Sequence, residues 1–398
     1  MAQSILKADV VIVGAGIAGL GLACFLAPYN MSVVIIEKRK KAGGIHRGDS
    51  LLPKATELLY GIGLQEALFA KGGRTIRHME LHHKKRGLVY KAPLTEQDPV
   101  YPYLVLRHAL IEEVLEERVQ THENLQLFRS SRFLGMVRDP ETQRVSGVSF
   151  QGKDGLVKVH ASLVVGCDGK KSNVARELGI VPELYEYDHA YLGLEAQRPA
   201  SYCDAMRIHL HPEGGVLLMP HEDRVGIGMM VEKGSANYWM GMDDEELHKQ
   251  VLNRVPILEG MALYREGLHV FSLTNSHAKR YASDGAVVIG DAIHSTNPTG
   301  GQGMAMALMD ASVLAGLVGP VLESGAPCPD ELLAQFQKQQ HPENERLVRS
   351  THKLSLFYGL RGRIPSALKL KLLELLHFFS GTKWAESIIS GFLSRETE

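Results

Sequence analysis

Residues 8–40 read ADVVIVGAGIAGLGLACFLAPYNMSVVIIEKRK, and this stretch decides the fold. A β-branched run ending at Val13 has the composition of a strand. It is followed by the turn Gly14-Ala15-Gly16-Ile17-Ala18-Gly19, an Ala/Leu-rich helix to about Ala27, and a second strand ending at Glu37. Together they make a βαβ unit. The three glycines serve different ends. Gly14 permits the tight turn, Gly16 lets a diphosphate approach bare backbone, and Gly19 lets the helix lie against the strand. The diphosphate then rests on free N–H groups at the positive end of the helix. Glu37 follows Gly19 by 18 positions and stands at a strand tip, where a carboxylate accepts hydrogen bonds from a ribose and disfavours a 2′-phosphate. The plainer alternative is a glycine-rich turn that binds nothing; the agreement of strand, helix, second strand and terminal acid weighs against it. The unit by itself does not say which dinucleotide it holds.

Outside this unit the chain reads as an enzyme-sized globular protein. Its 398 residues suffice for a large core divided between two or so interleaved domains. A net charge of -1 gives no electrostatic reason to expect nucleic acid, and that class is set aside. Cys24, Cys167, Cys203 and Cys328 are widely spaced, with no C-x-x-C pair, so neither a zinc site nor a disulfide framework is signalled and a reducing, cytoplasmic setting is expected. The N-terminal apolar run leads straight into the glycine turn and reads as a strand rather than a secretion signal. No window of 18 uncharged apolar residues is present, so no membrane-spanning helix is expected.

Three later stretches carry further signals. YLVLRHALIEEVLEERV, residues 103–119, puts Arg107 at a strand-to-helix junction. LVVGCDGKKSNVARELGI, residues 163–180, is a strand followed by Asp168-Gly169 and a helix capped by Ser172. GDAIHSTNPTGGQGMAMALMDA, residues 290–311, opens a helix with a glycine-rich start. In this order, and together with the front turn, these stretches resemble the group A flavin-dependent monooxygenases, the p-hydroxybenzoate hydroxylase-like family that includes ubiquinone-pathway and quinolone hydroxylases. The resemblance runs from Ala8 to about Glu345.

It implies an α/β fold: a Rossmann-like FAD-binding domain with an inserted antiparallel β-sheet domain for substrate and C-terminal helices. The FAD domain is expected over 1–75, 100–180 and 276–350, the substrate sheet over 76–99 and 181–275, and a helical region over 351–398. Gly14, Gly16, Ile17, Ala18, Gly19, Glu37 and Lys38 would hold the ADP half of FAD, Arg107 would reach its phosphates or ribityl hydroxyls, and Asp291 would hydrogen-bond the ribityl chain. Asp168 and Gly169 match a motif tied to both FAD and NAD(P)H. Gly301, Gln302, Gly303 and Met304 would offer N–H groups to the negative charge of the reduced ring, as a helix N-terminus is suited to do. Pro298 would flank the oxygen-reacting edge. Arg47 would sit on a loop over the outer side of the flavin, touching FAD or nicotinamide, or else be a solvated surface arginine. Two departures from the family stand out: Ala305 replaces a common Asn, and Ala175 occupies the place of an Arg.

The implied reaction takes reducing equivalents from NADH or NADPH, adds O2 at the flavin C4a position as a hydroperoxide, and transfers one oxygen to an aromatic or hydrophobic small molecule, with a quinolone or quinone-like compound as the leading expectation. An alkene reductase of the geranylgeranyl-reductase type and a non-catalytic FAD-binding protein are the alternatives. MRIHLHPEGGVLLMPHEDRVGIGMMV, residues 206–231, reads as three strands, with Arg207, His209 and His211 alternating against Met206, Ile208 and Leu210. One face alone lines a pocket, for which Arg47, His209, Met219, Pro220, His294 and Pro298 are candidates; no catalytic base is named. His209 and His211 lack a third partner, so no metal is expected. Leu368, Leu372, Leu375, Leu376 and Phe379 form a helical stripe that packs on the body or, alternatively, meets an interface or a membrane surface from the cytoplasmic side.

Overall fold

The computed structural model describes residues 4–43, 48–94, 100–202, 204–359, 362, 368, 370 and 371. Arg47, Cys203 and most of the C-terminal stripe lie outside the described residues.

Strand Ser4–Val13, helix Ile17–Leu26 and strand Val33–Glu37 form the expected βαβ unit. Ser4–Val13 pairs in parallel with Gly155–Gly166 on one side and Val33–Glu37 on the other, which pairs in turn with Leu125–Arg129. Ala286–Val288 joins Gly155–Gly166, again in parallel. The strands are apolar on both faces, Val10 to Ile12 being fully buried, because helices cover the sheet. Val13, Glu37, Gly166 and Val288 all end at the same edge, so the segments that follow them converge on one crevice, where open α/β sheets take their ligands.

A second sheet of eight strands runs Gly87–Pro93, His78–His83, Ala205–Leu210, Val216–Pro220, Arg224–Glu232, Glu183–Gln197, Leu263–His277 and His294–Ser295 across its width. The three strands expected in residues 206–231 are all present. Two features go beyond those three strands: Glu183–Gln197 and Leu263–His277 are 15 residues each, and helices Ala236–Gly241 and Asp244–Arg254 close one face of the sheet. Their Trp239, Leu247 and Val251 pack on Leu192, Leu194, Val216, Leu218 and Ile227.

Helix Gly303–Glu323 is long and apolar enough to cross a membrane by length and composition, yet most of it is buried. Gly21 explains part of that burial, since a Cβ there would stand 2.8 Å from Leu308 Cδ2, and the two helices touch through this gap.

Candidate functional site

The front turn divides its labour among its glycines in a way that can be measured. Gly14 has φ +108°, and a Cβ there would meet Cys167 O at 2.4 Å; a Cβ on Gly19 would meet Gly14 O at 1.9 Å. Gly16 is different: the nearest atom to its Cβ position is Glu112 Oε1 at 3.8 Å, which leaves the backbone open to a ligand. Ile17 and Ala18, at the helix start, are buried. Glu37 accepts from Ala15 N–H at 2.8 Å and Arg39 N–H at 2.8 Å. Burial raises its pKa, and these two backbone bonds with the Arg39 charge outweigh burial and hold it below the usual carboxylate range. Lys38 is exposed.

Arg39, which no sequence motif marks, turns inward instead. Its guanidinium bonds Ala15 O at 3.0 Å, Gly43 O at 2.9 Å and Glu112 Oε2 at 2.9 Å. Glu112 is 3% exposed; hydrogen bonds from His108 and Arg39 overcome the effect of burial and take its carboxyl down to about 2. The available sequence signal is a charged Glu112 on the apolar side of its helix, between Ile111 and Leu115, where only a partnered carboxylate is stable.

Arg107 caps helix His108–Gln120 and pairs with Glu195 Oε1 at 3.0 Å, so its side chain leans toward the second sheet. Asp168 binds the start of the next helix, accepting from Asn173 N–H at 2.6 Å and from the Ser172 hydroxyl. It orders the turn after the strand.

The second half of the site begins at the turn Gly290–Ala292. A Cβ on Gly290 would lie 2.8 Å from Ala18 Cβ, so the two glycine-rich motifs, far apart in the chain, touch. The Asp291 side chain is half-buried and makes no hydrogen bond or ion pair among the described residues, while its charge helps raise the pKa of His294. His294 points elsewhere: it is 1% exposed and its Nε2 donates to Asp310 Oδ2 at 2.7 Å. Burial alone would lower its pKa, but Asp310 raises it. Asp310, fully buried within helix Gly303–Glu323, also accepts from Gly290 N–H at 2.9 Å and Asn344 Nδ2 at 2.9 Å. His294 is therefore an anchor of the turn rather than a pocket wall, because its ring is used inward.

Pro298 opens a short 3-10 turn, and Asn297 Oδ1 accepts from Thr299 N–H at 3.0 Å. Gly301 departs from expectation. Its N–H is already bonded to Pro298 O at 2.9 Å, and its contribution is a left-handed φ of +64° that swings the chain into the helix. The helix then starts with no side-chain cap and no acid in its first turn. Met306 N–H bonds Gln302 O, which leaves the amides of Gln302, Gly303, Met304 and Ala305 without an intrahelical acceptor. Such a terminus favours negative charge in front of it.

Over this start lies a wall from the second sheet. A Cβ on Gly301 would reach Leu52 Cδ1 at 3.3 Å and Tyr103 OH at 3.4 Å, and these residues pack with Met206, Leu217 and Met219. On the same sheet face Tyr191 OH meets Thr299 Oγ1 at 3.0 Å. His209 and Pro220 fall on the other face, a correction to their place among the pocket candidates. His209 pairs with Val216 and Pro220 with Val225, both under the helical layer. The His209 ring stacks on His82 at 5.2 Å, beside Glu80 and Arg207, and burial drives its pKa down to about 3.

A parallel-sheet crevice with an open glycine turn, an Asp291 carboxylate without a hydrogen bond among the described residues, an uncapped helix start and an antiparallel sheet overhead is the arrangement of a flavoprotein oxidoreductase. The chain belongs to the FAD binding domain family, which matches residues 7–351, and FAD is its cofactor. It is similar to 6-methylpretetramide 4-monooxygenase of Streptomyces rimosus, with 26% identity over 92% of this chain and 88% of that one. It is also similar to ubiquinone hydroxylase UbiL of Rhodospirillum rubrum, with 28% identity over 87% and 81%. In fold it matches PqsL, a probable FAD-dependent monooxygenase from Pseudomonas aeruginosa, with TM-score 0.76, 22% identity and coverage of 94% and 100%. The fold of p-nitrophenol 4-monooxygenase PnpA from Pseudomonas putida is likewise close, with TM-score 0.81, 17% identity and coverage of 99% and 100%.

Proposed function

We propose that this enzyme takes electrons from NADH or NADPH and inserts one oxygen atom of O2 into an uncharged, apolar aromatic compound of the quinolone or quinone type. What FAD supplies when bound is the reductive activation of O2 and delivery of an oxygen atom; the chain supplies binding, orientation and dryness. The open backbone at Gly16 takes the diphosphate, Asp291 a ribityl hydroxyl, and the amides of Gln302 to Ala305 stabilise negative charge on the ring.

One observation carries the substrate class. Leu52, Tyr103, Met206, Leu217 and Met219, with Ser50 beside them, build a wall whose side-chain polar atoms are hydroxyls and thioethers. The arginines near it, Arg107 and Arg224, are both held by Glu195, at 3.0 and 2.8 Å, with the Asp223 carboxylate 3.8 and 3.7 Å away as the second balancing charge. Among the described residues a carboxylate substrate would find both of these arginines already matched by acids, at a cost of several kcal/mol, whereas a neutral ring displaces water from apolar surface.

The test is a screen of the FAD-loaded enzyme for stimulated NAD(P)H oxidation with neutral alkylphenols, quinolones and quinones set against benzoates, under isotopically labelled O2. Label in the product of a neutral compound is expected. Turnover of benzoates alone would refute the substrate class, and turnover without O2 would point to a reductase.

A further inference from the structure

The apolar wall does not stop at Met219. Along the same sheet face, Met206 is followed by Ile208 and Leu210, which pack with Leu81, Val89, Tyr90 and Met79. Into this second cluster comes a residue from the far end of the chain: Leu370, only 9% exposed, while Leu368 beside it is 64% exposed. The chain is tied there by Gly362 N–H, which donates to Pro212 O at 2.8 Å, just beyond the strand that carries Ile208 and Leu210.

The two clusters share this sheet face and adjoin where Met206 pairs with Met79. Elsewhere on the face Tyr191 touches Thr299, next to Pro298. The face therefore runs from the turn before the Gly303–Glu323 helix to the edge of the sheet, where Leu81, Val89, Ile208, Leu210 and Leu370 gather about Tyr90.

Building on the proposed neutral aromatic substrate, we propose that Leu370 is the end wall of the substrate pocket and limits the length of apolar substituent the enzyme accepts. An aromatic head placed by the Pro298 turn would send an alkyl tail along Met206 and Ile208 toward Leu370. Each methylene buried on that path tightens binding about fourfold, and the gain ends where the tail meets the leucine.

The experiment titrates 4-alkylphenols from ethyl to decyl into the FAD-loaded enzyme and follows the perturbation of the flavin absorption spectrum. In the wild type, affinity rises with chain length to a break and then levels off. Leu370→Ala moves the break to a chain longer by one or two carbons, Leu370→Trp moves it to a shorter chain, and Leu370→Met and the exposed-site control Leu368→Ala leave it in place. The flavin spectrum of each variant reports that the FAD site has folded. The same break in all five proteins overturns the assignment of Leu370 and leaves the substrate class standing. No spectral response to any alkylphenol in any of them overturns the substrate class and removes the basis for the end wall.

Discussion

Gly16 and Gly19 sit three residues apart in one turn, and alanine should fail at each for a different reason. At Gly19 the added methyl would come within 1.9 Å of a backbone oxygen that cannot rotate away, so the helix must lift from the strand. Overpacking of this kind costs about 1–3 kcal/mol. At Gly16 the methyl has 3.8 Å of clearance and lands on the ligand side. Gly19→Ala is therefore expected to destabilise the apoprotein in urea and to weaken FAD retention with it. Gly16→Ala should leave the urea midpoint in place while FAD affinity falls at least tenfold; equal behaviour of the two in both assays would refute this division. The sequence motif anticipates three special glycines. It is silent on Arg39 and Glu112, whose partnership depends on a strand tip and a helix from elsewhere in the chain coming together.

At the scale of elements, the Gly303–Glu323 helix is held near its start by Asp310, which binds His294, Gly290 and Asn344. Removing one member of a buried ionic pair costs about 3–5 kcal/mol, so Asp310→Ala is expected to lower unfolding free energy by that amount at pH 6. The pH dependence has a definite sign. His294 is raised in the folded state, so the stability its charge contributes is fully present below its unfolded pKa of 6.5 and is lost as pH rises through the higher folded value. The gap between wild type and Asp310→Asn in chemical unfolding should accordingly narrow toward alkaline pH. A gap that does not change with pH would mean that His294 is neutral in the fold. The strands of residues 206–231 were legible from alternation, and so was the partition of Arg207 and His209 from Met206 and Ile208. Which set looks at the flavin side was not legible, because period-two patterning is symmetric until a second layer arrives. Helices Ala236–Gly241 and Asp244–Arg254 are that layer, and they bury Val216 and Leu218 on the His209 side.

For the whole molecule, the binding crevice is built by segments from the beginning of the chain and from three-quarters along it, which meet where Gly290 faces Ala18. A ligand that engages both should stabilise the fold as one unit. At free FAD of about one hundred times its Kd, the gain is about 2.7 kcal/mol by mass action. In a thermal scan followed by far-UV circular dichroism this should shift the main transition of the apoprotein upward without splitting it; an unshifted transition would mean that the two segments do not share the ligand.

The amino-acid sequence by itself determined the βαβ unit, the glycine positions and the helix start near Gly303, because each rests on local sterics: φ beyond the reach of a Cβ, missing side-chain caps, a strand period of two. It also supplied the family likeness, through the order of these local signals. Only the tertiary structure decided that His294 anchors rather than lines, that Gly301 gives its N–H to Pro298, that His209 faces away from the site, and that Leu370 returns to the sheet. Those outcomes are set by which distant surfaces pack together, and packing energy belongs to the pair of surfaces rather than to either stretch of chain.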